Sequence, residues 1–321
     1  MFRQDRTNPS TAVSTWKGRK DLAKANPSTA VSNWLNGGLA GGSSPITAFG
    51  GIITQYEDSG TTYRVHTFRG TGTLTVVDGS ADIDYLIVAG GGSGGASQEN
   101  SYKTVGGGGG AGGVLTASGT VTVDTASSPY TITVGAGGAP PDPVDNKHGN
   151  PGSDSVAFSL TAGGGGRGGG KDGAPGSGGS GGGGKSESNQ AGGTASGAGT
   201  GNAGGSSGTG GTNGGAGGGG QGGAGTSVTT QNSGMAGGAG VTNDYYDGTA
   251  VEYAGGGGGG GHTGTGGAGP FGGGAGGTYL GNGNAGTNGK GGGGGGGSAG
   301  GRPGAAGGSG VVVIMVKTDQ Y

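Results

Sequence analysis

Between residues 62 and 88, apolar and polar positions alternate with a period of two, the mark of half-buried β-strands. Residues 62–68 alternate, Arg69-Gly70-Thr71-Gly72 supplies a turn, and residues 73–77 alternate again before Asp78-Gly79. Residues 83–88 end in three consecutive apolar side chains, Leu86, Ile87 and Val88, as suits a strand buried on both faces. The same reading predicts strands at 114–117, 120–123, 130–134, 156–160 and, after a long stretch of mostly glycine, 311–316. That final strand needs a partner, and only the first cluster offers one. The glycine-rich stretch is therefore expected to be an insertion whose two ends return to one sheet system. The predicted fold is all-β: a small β-sandwich with a large insert.

Of the 101 glycines, all but eleven lie between residues 89 and 310. Several strands run into them without a turn, as in Val88-Ala89-Gly90 and Val134-Gly135. Extended backbone can continue into a polyproline-II-like path, which has three residues per turn and no internal hydrogen bonds. Its N–H and C=O groups must then bond to neighbouring segments, and only glycine lets backbones come close enough. Non-glycine residues should recur in threes. Ala203, Ser206, Thr209 and Thr212 do so, as do His262, Thr265, Ala268 and Phe271. The expectation for residues 163–310 is a polyglycine-II helix bundle with variable loops; the competing reading is a disordered Gly/Ser linker.

The first 36 residues differ from the rest. Asn8-Pro9-Ser10-Thr11-Ala12-Val13-Ser14-Thr15-Trp16 returns as Asn26-Pro27-Ser28-Thr29-Ala30-Val31-Ser32-Asn33-Trp34 with one substitution. Asn-Pro is a helix start, because Asn caps free N–H groups and Pro at the first helical position loses no hydrogen bond. Each copy predicts a short helix that presents Ala, Val and Trp on one stripe. The two tryptophans are the only ones in the chain, and large aromatics are common interface anchors. With six Lys/Arg against two Asp/Glu, this head is basic while the whole chain carries −2. It is expected to dock on a partner through Pro9, Val13, Trp16, Pro27, Val31 and Trp34; packing of both Trp on the chain's own β domain is the alternative. The predicted organisation is a docking peptide at 1–36, a linker and entry strand at 37–61, the sandwich with the first glycine helices at 62–162, the bundle at 163–310, and a closing strand and tail at 311–321.

Composition narrows the function. Collagen needs an unbroken Gly-X-Y period and abundant Pro, whereas this chain has 11 Pro and no such period. No Cys means no disulfides, iron–sulfur cluster or thiolate zinc site, and three scattered His do not suggest a metal centre, so no metal and no cofactor are expected. The longest apolar run, 311–316, is far short of the roughly 20 residues that span a bilayer, so no membrane insertion is expected, and no signal-peptide core follows Met1. A net charge of −2 gives no general attraction to nucleic acid. His66, His148 and His262 have no Ser/Asp or Cys partner nearby in sequence, and the Gly-rich strings match no phosphate loop, so no enzyme activity is expected. Side chains able to discriminate a ligand are confined to the interruptions at 97–104, 140–151, 185–190, 227–233, 243–253 and 278–280. Tyr102, Tyr245, Tyr246, Tyr253 and Tyr279 fall in them and are the receptor-contact candidates, since Tyr offers a rigid flat face with a polar tip. The alternative is that they cover hydrophobic seams.

Tyr63-Arg64-Val65-His66-Thr67-Phe68, Asp84-Tyr85-Leu86-Ile87-Val88-Ala89-Gly90-Gly91-Gly92, Tyr130-Thr131-Ile132-Thr133-Val134-Gly135-Ala136-Gly137-Gly138 and Gly308-Ser309-Gly310-Val311-Val312-Val313-Ile314 follow in an order that resembles the glycine-rich domain of bacteriophage tail-fibre and virion proteins. The architecture is similar to the polyglycine-II tip adhesins of T-even-like phages. The resemblance implies a structural protein of the virion surface, made in the host cytoplasm, that contacts other virion proteins (capsid, tail hub or fibre) and binds a host cell-surface glycan or outer-membrane protein. A homotrimer is one assembly open to it. A decoration or head-fibre protein with no specific receptor is the second reading. The repeated head matches no part of that pattern.

Overall fold

The computed structural model describes residues 46–98, 104–142, 148–186, 189–208 and 213–318. The two short N-terminal helices expected around Trp16 and Trp34 lie outside these residues. What is described is all-β.

Twelve strands form in chain order: β1 (Thr47–Phe49), β2 (Ile52–Asp58), β3 (Thr61–Phe68), β4 (Gly72–Asp78), β5 (Ser80–Val88), β6 (Val114–Asp124), β7 (Tyr130–Ile132), β8 (Ser155–Ala157), β9 (Leu160–Ala162), β10 (Val241–Asn243), β11 (Val251–Tyr253) and β12 (Val311–Lys317). Five make one antiparallel sheet in the order β2-β3-β12-β5-β6, and three make a second in the order β1-β4-β7. The chain's last strand thus lies at the centre of the larger sheet, with Val312 opposite Phe68 on one side and Ile87 on the other.

Phe68, Ile83, Ile87, Val312 and Ile314 of the larger sheet pack on Ala48, Leu74, Val76 and Ile132 of the smaller one, a sandwich core. The opposite face of the larger sheet is covered as well: Val65, Leu86, Val88, Val311, Val313 and Met315 pack against Ala111, Tyr253 and Ala254. Being buried on both faces explains why β12 reads Val-Val-Val-Ile-Met-Val with no alternation. The predicted strands at 114–117 and 120–123 are one long strand, β6, broken in register opposite Ile83 to Tyr85 where Gly119 takes a positive φ of 61°. The predicted strand at 156–160 is a hairpin instead, β8–β9, turning at Phe158 and Ser159.

The insertion is not the expected polyglycine-II helix bundle. Among the described residues there is no α-helix, and the glycine-rich segments are extended, non-helical chain. Their order comes from lateral bonding. The N–H groups of Gly106, Gly109 and Gly112 donate to the carbonyls of Gly297, Gly294 and Gly291; those of Gly107, Gly110 and Gly113 donate to Gly169, Gly166 and Gly163; those of Gly108 and Ala111 donate to Ala216 and Gly219. One segment therefore bonds three neighbours in rotation, at 2.8–2.9 Å, and makes none of these bonds to itself. The result is a lattice grown from the ends of β5, β6 and β12, with the two sheets at its base. A net gain of about 0.5–1.5 kcal/mol per hydrogen bond is set against about 1–2 kcal/mol of backbone entropy per ordered residue, which is largest for glycine. That near balance explains why the lattice is rooted in a packed sandwich. Its spacing excludes side chains: a Cβ on Gly109 would sit 2.1 Å from the carbonyl oxygen of Gly92. Ala111 is accommodated because it is one of the groups packed on the outer face of the larger sheet.

Candidate functional site

The segments of the lattice all start or finish at one of two ends. At the base, Gly291 accepts from Gly112, beside the sheets. Six residues on, Gly297 accepts from Gly106 while itself donating to Gly95, which at roughly 3 Å per residue of extended chain lies about 20 Å from the base. The described residues of interruptions 97–104 and 185–190, with 227–233 and 278–280, lie at this far end. Backbone bonds tie this end to neighbouring segments: Gly301 N–H donates to Gln98 O, Ser186 N–H to Val105 O, Val228 N–H to Ser206 O, and Ser298 N–H to Gly281 O. The serine-rich composition of these turns follows from what a segment loses on leaving the lattice. Its N–H no longer faces a neighbouring carbonyl, and a buried unpaired donor is costly. Serine hydroxyls accept instead: Ser97 from Arg302 N–H at 2.6 Å, Ser186 from Val105 at 2.9 Å, Ser207 from Gln190 at 2.6 Å and Ser298 from Gly281 at 2.9 Å. All four serines are buried.

Tyr279 and Leu280 stand out on this end. They occupy a tight turn closed by Gly281 N–H to Thr278 O at 2.6 Å, with Leu280 at a φ of 56°. They are 48% and 40% exposed, among the few large apolar side chains of the described residues left in solvent. His262 stands on the same end, its Nδ1 3.0 Å from Asn232 Oδ1. The far end thus offers an aromatic–aliphatic pair and neutral polar groups on a backbone-bonded platform. That arrangement offers groups suited to binding.

The other tyrosine candidates do not join it. Tyr102, with Pro9, Val13, Trp16, Pro27, Val31 and Trp34, lies outside the described residues. Tyr245, Tyr246 and Tyr253 belong to the β10–β11 hairpin, at the base. Tyr253 is buried in the cluster on the outer face of the larger sheet, and Tyr245 and Tyr246 pack half-buried against it. Burial first, then the charge of Asp247, pushes the Tyr253 phenol up to about 12. Burial also raises Tyr245. Tyr246 lies 5.8 Å beneath the Arg69 guanidinium and accepts from its Nη2 at 3.4 Å. Interruption 243–253, a candidate ligand loop by its sequence, forms a hairpin whose tyrosines pack on the larger sheet, in keeping with the alternative that they cover a hydrophobic seam. Sequence reasoning singled out neither Leu280 nor the serine caps. Leu280 is the one large aliphatic residue between Val251 and Val311, and that isolation is the signal that could have found it.

Residues 65–317 match the family described as glycine-rich domain. The chain belongs to that family. No match appears among curated proteins. The glycine-rich domain match begins inside β3, so β1 and β2, edge strands of the smaller and the larger sheet, precede it. It describes the sandwich and lattice together as one domain and carries no statement of particle or host.

Proposed function

We propose that the protein is a bacteriophage virion protein of the tail-fibre or adhesin kind. In this reading it is attached to other virion proteins through residues 1–36 and offers the far end of its glycine lattice to a host cell-surface glycan or outer-membrane protein. The observation that carries the proposal is the convergence of four non-glycine interruptions on one end of a lattice whose interior has almost no side chains. A scaffold bonded through its backbone holds such turns rigidly, which lowers the entropy lost on binding. The exposed Tyr279 and Leu280 supply an apolar anchor for a sugar face or a protein loop. The strand-to-glycine wording of the sequence supports the phage context by resemblance.

A second reading, a decoration protein with no specific receptor, is favoured by the use of Tyr245, Tyr246 and Tyr253 to cover the sheet. Competition separates the two. Under the first, the purified full chain at micromolar concentration blocks adsorption of the parent phage, and the double change Tyr279→Ala with Leu280→Ala weakens the block at least tenfold, about 1.4 kcal/mol. Under the second, neither the chain nor the variant alters adsorption.

A further inference from the structure

We propose that two copies of this chain join through β2, edge to edge and antiparallel about a two-fold axis at Thr54, making one continuous ten-stranded sheet. The inference goes beyond the proposed host contact and does not depend on it.

Edge strands of natural proteins are protected by Pro, Lys, bulges or coverage, because an open edge is a template for another strand. The two edges of the larger sheet differ sharply in this respect. β6 is blunted: its register breaks near Gly119, Ser118 and Gly119 are tied to the Asp84 carboxylate, and Val114 N–H is taken by Gly199 O. β2 has none of these devices. It is seven residues long, pairs regularly with β3 from Ile52↔Thr67 to Asp58↔Thr61, and has no other strand partner among the described residues. Its sequence, Ile-Ile-Thr-Gln-Tyr-Glu-Asp, has neither Pro nor Lys. Ile52 is 58% and Ile53 38% exposed, and Phe49, at the end of β1, is 52% exposed. Three of the exposed large apolar side chains among the described residues thus follow this open edge.

Charge selects the occupant and its direction. Glu57 and Asp58 are at one end of β2; near the other end, Arg69 rests on Tyr246 and forms no ion pair among the described residues. A parallel second copy would stack the acids on each other. An antiparallel copy centred on Gln55 would bury Asp58 against Ile52 and Glu57 against Ile53. Centring on Thr54 avoids both faults. It pairs Ile52 with Tyr56 twice, a favourable aromatic–β-branched match, pairs Ile53 with Gln55 twice, and pairs Thr54 with itself. Glu57 and Asp58 then run past the partner's Ile52, where β2 ends. Arg69 is at that same end, two residues beyond Thr67, the pair of Ile52. Asp58 lies on the Tyr56 face of β2 by alternation, and Arg69 reaches that same face through Tyr246. Each copy's Asp58 therefore faces its partner's Arg69, and the interface carries two complementary charge pairs.

The chain's lack of Cys allows a sharp test on the full-length protein. In a Thr54→Cys variant the two new thiols meet across the axis, within the 4.4–6.8 Å Cα separation a disulfide needs, roughly. In Glu57→Cys they stand six residues apart in register, about 20 Å. Under mild oxidation the first should become mostly a disulfide-linked dimer and the second should not. Sedimentation of the unmodified chain should give twice 29.3 kDa. Ile52→Lys should return it to a monomer with an unchanged circular dichroism spectrum. Asp58→Arg should weaken association by roughly tenfold, and adding Arg69→Asp should restore it. The proposal is overturned if the unmodified chain stays monomeric at high concentration, if the two thiol variants cross-link equally, or if a dimer forms that ignores both Ile52→Lys and the charge reversal.

Discussion

The hydroxyl of Ser155 donates to the carbonyl oxygen of Val88 at 2.8 Å, where β5 gives way to the lattice. The Ser155 hydroxyl oxygen in turn accepts the N–H of Gly135 at 2.8 Å. One buried side chain thus satisfies two backbone groups at the junction of sheet and glycine region. Ser180 is its opposite: fully buried, its hydroxyl has no hydrogen-bond partner among the described residues. Ser155→Ala removes both bonds and leaves the Gly135 N–H without this acceptor, which should cost about 1–3 kcal/mol, whereas Ser180→Ala removes an unsatisfied hydroxyl and should be neutral or mildly stabilising. Urea unfolding of both variants, compared at equal m-value, measures the difference.

Substitution of glycine should depend on position and not on residue type. At Gly109 an added methyl would lie 2.1 Å from the Gly92 carbonyl oxygen; at Gly70 it meets nothing within 4 Å. Gly109→Ala is expected to cost at least about 3 kcal/mol through overpacking and parted neighbours, and Gly70→Ala almost nothing. Melting temperatures of the pair would reveal it, with equal shifts counting against a close-packed lattice.

His66 should make stability sensitive to mild acid. Its ring is fully buried in β3, with Nδ1 2.9 Å from the Gly50 carbonyl, in the link between β1 and β2. Burial lowers its pKa below 6.5, opposed by the Gly50 bond and assisted by Arg64. The folded state therefore holds fewer protons than the unfolded one just below pH 6.5. This contribution is complete above 6.5 and is lost as the pH falls through the window between 6.5 and the lower folded value. Unfolding free energies measured from pH 7.5 down to about 5 should decline in the parent and lose most of that slope in His66→Gln.

Alkaline titration reports on the tyrosines at the base. Tyr56 and Tyr253 are both raised from 10 to about 12, each chiefly by burial, with Asp244 next for Tyr56 and Asp247 next for Tyr253. The folded state keeps these protons longer than the unfolded one, so stability falls as the pH rises from 10 towards 12. Phenolate absorbance at pH 11 should fall short of that of the urea-unfolded chain, and Tyr253→Phe should narrow the gap.

The sandwich strands were legible because burial on one face imposes a period of two, as in β4 and the first half of β5, and because a strand buried on both faces is an unbroken apolar run, as in β12 and the end of β5. Position in the sheet was readable too, since the last strand had nowhere to go but among the first. The three-residue strands β10 and β11 carried too little pattern to distinguish Val241-Thr242-Asn243 from a loop, and so the hairpin they form passed for a ligand site. In the glycine region the spacing in threes was visible, but it was attached to helices. Ala111, which donates to Gly219 and accepts from Ser180 segments away, shows that the period belongs to a rotation of neighbours around extended chain. No local sequence signal names a neighbour a hundred residues distant. The convergence of four turns on one end was hidden for the same reason.

Because each lattice residue meets the same neighbour again only at its third successor, a segment could lengthen or shorten without scrambling its contacts only in whole triplets. Turns between segments are under no such arithmetic. Variation in this protein is thereby channelled to the rims: new surface chemistry can be exchanged turn by turn while the girders beneath stay as they are.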